Sequence, residues 1–155
     1  MPTVTSSCTT TPRSPPASRR ATGGPREPCM PSEITIRLSQ AAKDQLSWLK
    51  RHTGLTQWNE LCRWALALSL RDPSTPLVRE IITDSNVEIA WKTFAGPHGD
   101  IYLALLKQRC VADGDEPTDA AVGKTLLIHL HRGIGFLAGR QDLRSIQNLI
   151  AVTAE

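Results

Sequence analysis

The feature that most constrains this chain is the segment TQWNELCRWALALSL, Thr56 to Leu70, which turns apolar on nearly every side: from Leu61 to Leu70 only Arg63 and Ser69 are polar. A surface helix carries one apolar stripe, so a helix apolar all round must be surrounded. Other copies of the same chain can cover the faces that its own chain leaves bare, or the helix can form the centre of a monomeric bundle. What precedes the segment favours the copies.

In ITIRLS, Ile34, Ile36 and Leu38 alternate with Thr35 and Arg37, the period of a half-buried strand. Ser39 is a good N-cap, and Ala42, Leu46 and Leu49 recur at helical spacing from Gln40 to His52. Gly54 suits the helix end because it takes the left-handed conformation without steric cost. Thr56 is then read as the cap of the second helix, with Glu60 one position late for a capping box. Strand, helix, glycine turn and apolar helix is the order of ribbon-helix-helix proteins. There a strand too short to stand alone pairs with its copy from a second chain, and the second helices cross in the dimer core. The expected fold class is therefore mainly α: a short N-terminal strand followed by a helical domain, ribbon-helix-helix-like over residues 33–70, extended by helices over 71–155, and oligomeric.

Residues 1–29 read differently. They are Ser, Thr, Pro and Arg with almost nothing apolar, so they cannot bury enough surface to offset the entropy of ordering them. A disordered tail is expected, or an upstream misassignment of the start codon, since structured patterning begins at Met30. The segment lacks the apolar run of a secretory signal, and its prolines spoil a transit-peptide helix. Those 29 residues hold four arginines against one glutamate, so the rest balances at 14 basic and 14 acidic side chains. Any affinity for nucleic acid must then come from where the positive charges sit. A chain of 155 residues fits one domain. It has no run of about 18 apolar residues, which predicts a soluble protein, and its cysteine pattern points to a reducing cytoplasm. Cys8, Cys29, Cys62 and Cys110 form no CxxC pair and have no zinc-like spacing, so Cys62 and Cys110 are read as buried apolar residues.

Three groups of residues could contact DNA phosphates. Lys43, Ser47, Lys50 and Arg51 fall on one side of the first helix as a basic stripe, although any solvated helix face can look so. Thr56 and Gln57 open the second helix, where free N–H groups and the helix dipole favour an anion. Arg37 lies on the polar face of the strand, where ribbon-helix-helix repressors carry base-reading side chains, and shares that face with Thr35 and Glu33. The acidic Glu33 argues against insertion into the major groove, so assembly through the strand is preferred to base reading.

Downstream, VEIAWKTF is ambiguous between strand and helix, and GPHGD reads as a turn presenting Asp100 as an N-cap. The helix IYLALLKQRC carries Lys107 and Arg109 near its C-terminal end, where cations also complement the dipole. ADGDEPTD is an acidic loop expected to point away from DNA. In HLHRGIGFLAGR, Gly135 and Gly139 are one turn apart and would permit close helix packing, flanked by Arg132 and Arg140 as secondary DNA or subunit contacts.

Sharper motifs fail. AVGKTLL lacks both the glycine five residues before Gly123 and the preceding strand that a phosphate-binding loop needs. His129 and His131, two apart on a helix, point to different sides and cannot share a metal. No catalytic residue, metal or cofactor is expected.

TGLTQWNELCRWALALSL, followed in order by DSNVEIAWKTF, GDIYLALLKQRC and HLHRGIGFLAG, resembles the DNA sulfur modification protein family DndE, from about Ile34 to Gly139. The resemblance implies a small, mostly helical protein related to ribbon-helix-helix folds that assembles as a homotetramer. It implies binding of double-stranded DNA, with nicked duplex as a preferred ligand, through surface residues such as Arg37, Lys43, Lys50, Arg51, Thr56, Gln57, Lys107 and Arg132. It further implies work beside DndC, DndD and the other proteins that replace a non-bridging phosphate oxygen by sulfur, as an accessory subunit and not the enzyme. Two competing readings are a stand-alone ribbon-helix-helix transcriptional regulator and an enzyme that nicks DNA or handles sulfur through Cys62 or Cys110.

Overall fold

The computed structural model describes residues 34–77 and 80–154. The expected tail at residues 1–29 and the strand residue Glu33 lie outside the described residues. Strand β1 (Thr35–Arg37) leads into helices α1 (Gln40–Thr53) and α2 (Trp58–Arg71). After a loop come strand β2 (Glu88–Ala90), the short helix α3 (Trp91–Ala95), a 3-10 turn (Gly96–His98), and helices α4 (Gly99–Ala112), α5 (Asp119–Gly139) and α6 (Ile146–Ala154).

The first helix forms where its punctuation places it. Ser39 Oγ accepts from Ala42 N–H at 3.2 Å, and Gly54 closes the helix at φ 76°. Ala42, Leu46 and Leu49 are buried, which turns Lys43, Ser47, Lys50 and Arg51 outward. VEIAWKTF resolves into both candidates. Glu88–Ala90 is strand with Ile89 facing the core, and the chain turns helical at Trp91, which buries Trp91 and Phe94.

Three expectations are corrected here. Strand β1 does not take a second chain as its partner on this edge: it pairs antiparallel with β2 in register Thr35↔Ala90, Ile36↔Ile89, Arg37↔Glu88. The pairing lies within one chain and satisfies the backbone groups on one edge of β1. Nor does α2 need neighbouring copies to cover its core face. Leu61, Cys62, Ala65, Leu66 and Ser69 are buried by α5, α3 and α1 of the same chain, leaving Trp64, Leu68 and Leu70 half-buried. The third concerns caps. Gln57, not Thr56, is the N-cap of α2, with no side-chain hydrogen bond, and Asp100 stands inside the first turn of α4, whose N-cap is His98.

Helix α5, 21 residues long and capped by Thr118, is the axis of the fold. It crosses α2 at Gly133, where an added Cβ would stand 1.8 Å from the carbonyl oxygen of Ala65. Gly135 and Gly139, expected to permit the close approach, have open space at the same position. Beyond α5, Leu143 and the α6 residues Leu149 and Val152 complete the core. Gly123, Lys124 and Thr125 lie within α5, so the GKT triplet forms no loop.

Candidate nucleic-acid interface

Two features that are separate in the sequence become one surface. Lys50, near the end of α1, lies with its Nζ 4.9 Å from the ring centre of Trp58, the first residue of α2. The basic stripe thus runs into the start of α2, where Thr56 and Gln57 are exposed and no side chain caps the helix. At the other end of the stripe Lys43 Nζ donates to Asn86 Oδ1 at 2.7 Å, while Ser47 Oγ donates to the Lys43 carbonyl at 2.8 Å. Arg51 is exposed. Asp44 interrupts this side of the helix, bound by Gln40 Nε2 at 2.9 Å.

At the α2 end of the surface no side chain caps the helix N–H groups. At the start of α1, Asp84 Oδ1 already accepts from Gln40 N–H at 2.8 Å, so a protein carboxylate sits where an anion would bind. A phosphate at the α2 N-terminus would meet the helix dipole and the nearby Lys50, with Glu60 opposing it from the first turn.

Arg37, Lys107 and Arg132 stand on other elements, β1, α4 and α5. Arg37 pairs across the ribbon with Glu88 Oε1 at 2.8 Å, both side chains being about half exposed, so its charge is locally balanced. Lys107 lies on α4, which packs on α5 and α3. Arg132 is folded into the turn after α2: it pairs with Asp72 Oδ2 at 2.5 Å, donates to Ser74 O at 2.8 Å and covers the Phe136 ring at 5.0 Å. With a side chain only 14% exposed it holds structure.

Beside Arg132 lies a polar network that the pattern of the sequence did not foretell. Arg109 is buried, ion-paired with Asp113 at 3.0 Å, and donates to the carbonyls of Asp72 (2.9 Å) and Ser74 (2.8 Å). The i,i+4 spacing of Arg109 and Asp113 was its one sequence signal. Next to it, Ser69 Oγ and His129 Nδ1 are 2.9 Å apart, and His129 Nε2 faces Asp113 Oδ2 at 3.8 Å. Serine, histidine and aspartate meet here, but Ser69 and His129 are wholly buried, so no substrate reaches them and the set ties α2, α5 and α4 together. His131 does similar work: its Nε2 accepts from the N–H of Ser39 at 3.1 Å, which leaves Nδ1 to donate to Leu127 O at 2.8 Å.

Burial lowers the pKa of both histidines, and for His129 the nearby Arg109 lowers it further. In Asp72, hydrogen bonds from Ser74 and then the Arg132 guanidinium hold the carboxyl down at about 2. In both cases the unfolded chain binds protons more readily, so acid destabilises the fold. The histidine contribution is whole above the unfolded value of 6.5 and is lost as pH falls below it. The Asp72 contribution is whole above 3.8 and fades toward about 2. Urea midpoints should therefore drop from pH 7 to pH 5, and a double His129→Gln, His131→Gln variant should show a flatter profile. An unchanged midpoint across that interval in the parent chain would refute the assignment.

Cys62 and Cys110 are free and fully buried, as expected, and burial pushes the Cys62 thiol up to about 12. Thiols so placed do not carry sulfur to a substrate. Among the described residues there is no group of three or more His, Cys, Asp or Glu side chains placed to hold a metal, and no helix is long and apolar enough to cross a membrane.

Comparison with protein-family models matches residues 35–145 to the model described as DNA sulphur modification protein DndE. No curated protein matches the chain.

Proposed function

The chain belongs to the DndE family of DNA sulphur modification proteins, and from that premise we propose that it is a cytoplasmic, DNA-binding accessory and scaffold subunit of the phosphorothioation machinery. It grips the backbone of double-stranded DNA, intact or nicked, through Lys43, Lys50, Arg51 and the opening of α2. Assembly as a homotetramer repeats this surface, so that modest contacts add. DndC, DndD and the other proteins of the system carry the sulfur chemistry.

The observation that supports this reading is the meeting of Lys50 with Trp58, which joins a basic stripe and a helix end in one face. The folded part has no net charge excess, so binding rests on this local concentration and should be strongly salt-dependent. Little sequence preference is expected, because backbone contacts position DNA without reading it.

The test is binding to intact, nicked and single-stranded DNA of one sequence across a salt series. Lys43→Glu with Lys50→Glu should weaken duplex binding by about 100-fold or more at moderate salt and reduce the salt slope by about one for each phosphate no longer neutralised. Oligomer mass should stay the same. Wild-type affinity in this variant would remove the stripe from the site.

The regulator reading requires a tight, palindromic operator. Arg37 argues against it, because the residue that would read bases is paired with Glu88. The enzyme reading loses its sulfur carriers in Cys62 and Cys110: replacing both by alanine should leave DNA modification intact wherever the fold survives.

A further inference from the structure

Helix α4 is apolar on two sides. Its inward side buries Leu103, Leu106 and Cys110, yet Ile101, Leu105 and Val111 face outward at 59%, 43% and 61% exposure, with Ala104 and Gln108 between them. These residues recur at three- and four-residue steps, so they form one continuous stripe. No charge interrupts it, whereas a helix face meeting only water normally carries several.

We infer that this face is an interface between two copies of the chain, packed antiparallel about a two-fold axis near Ala104. The inference deepens the assembly part of the reading above and rests on it. The charges at the stripe's edge specify the occupant. Asp100 and Lys107 lie seven residues apart, hence on the same edge of the helix, and carry opposite sign. A two-fold axis across the helix reverses the order of residues while keeping each edge against its own copy. Asp100 therefore meets the partner's Lys107, and Lys107 meets the partner's Asp100, while Ile101 and Leu105 pack across the axis. A parallel copy would lose this match. Duplex DNA is a poor occupant because the middle of the stripe offers no cation or N–H donor to phosphate. None of the DNA-stripe residues lies on α4, so the contact leaves that stripe available.

The sequence directs association to α2, whose core face is covered by its own chain while Trp64, Leu68 and Leu70 stay half-buried; α4 adds a continuous exposed apolar stripe. Sedimentation of the full chain at micromolar concentration tests this. The wild type should sediment as an oligomer, and Leu105→Lys should raise the dissociation constant by about 100-fold, tenfold at each of two symmetry-related positions. The far-UV circular dichroism spectrum should be unchanged, since Leu105 is exposed. Asp100→Lys and Lys107→Asp should each weaken assembly, and the two together should restore it, a rescue that a purely structural role would not give. A monomeric wild type, an oligomer indifferent to Leu105→Lys, an absence of charge-swap rescue, or protection of the face only by a different protein would each overturn the inference. Duplex binding measured on the same samples separates the two claims: an oligomer that ignores Leu105→Lys while DNA still binds refutes the α4 contact alone, and a wild-type oligomer that binds no DNA refutes the functional reading alone.

Discussion

Gly133→Ala should destabilise the chain by about 3 kcal/mol or more, at the upper end of what overpacking costs. The added methyl would lie 1.8 Å from the Ala65 oxygen and 2.4 Å from its carbonyl carbon, and backbone in the middle of a helix cannot swing aside as a side-chain tip can. Relief requires α5 and α2 to separate, which loosens the packing of Leu61, Leu66, Leu130 and Ile134 together. Against a typical stability of about 5–15 kcal/mol this is a large fraction. The internal control is Gly135→Ala, two residues on in the same helix, where no atom lies within 4 Å. Alanine is the better helix former by about 1 kcal/mol, so that change should be neutral or stabilising. Equal urea midpoints for the two variants would mean that the helix crossing is not where the structure places it.

The second large effect is expected at Arg109→Met. The methionine keeps the apolar stem but strands Asp113 and the carbonyls of Asp72 and Ser74, which Arg109 serves in a nearly closed site. Removing one partner of a buried pair costs about 3–5 kcal/mol, because the other is left charged and unpaired. Arg109→Met combined with Asp113→Leu should recover part of this loss, since no orphaned carboxylate remains. The histidine beside the pair supplies a second readout. Arg109 lowers the His129 pKa and Asp113 raises it, so the single Arg109→Met change should move the His129 titration upward in an NMR experiment. A loss under about 1 kcal/mol, the range of an exposed pair, together with an unmoved His129, would contradict the buried network.

The parts of the fold that could be read from the chain are those governed by short-range rules. Ser39 and Gly54 bracket α1 because capping is decided within four residues, and Ile36, Ala42, Leu46 and Leu49 fall inward because period alone assigns their side. The stripe from Lys43 to Arg51 follows as the complement of that buried face. Capping was misjudged where two neighbours compete, as at Thr56 and Gln57, since the choice depends on how the chain enters the helix. The close-packing glycine was misjudged too. Gly133, Gly135 and Gly139 are chemically equal in the sequence, and only the position of α2 singles out Gly133.

The interface was legible in pieces and not as a whole. Charge and spacing identify Lys43, Lys50 and the α2 N-terminus, but their union depends on the angle at which α2 leaves Gly54, and that brings Lys50 over Trp58. The same lack of long-range information hid the partners that Arg132 has within its own chain. That side chain satisfies Asp72 and Ser74, some 60 residues earlier in the chain.

By itself the sequence determined a helical chain with a short strand, a basic side on its first helix, buried cysteines and membership of the DndE family. Local propensity and periodicity act over a few residues and survive any arrangement of the elements. Only the tertiary structure decided that β1 pairs with β2, that the core face of α2 is covered by its own chain, and that α4 carries an exposed apolar stripe. Those outcomes depend on which faces meet across tens of residues. An apolar residue records that it must be covered, but not by what.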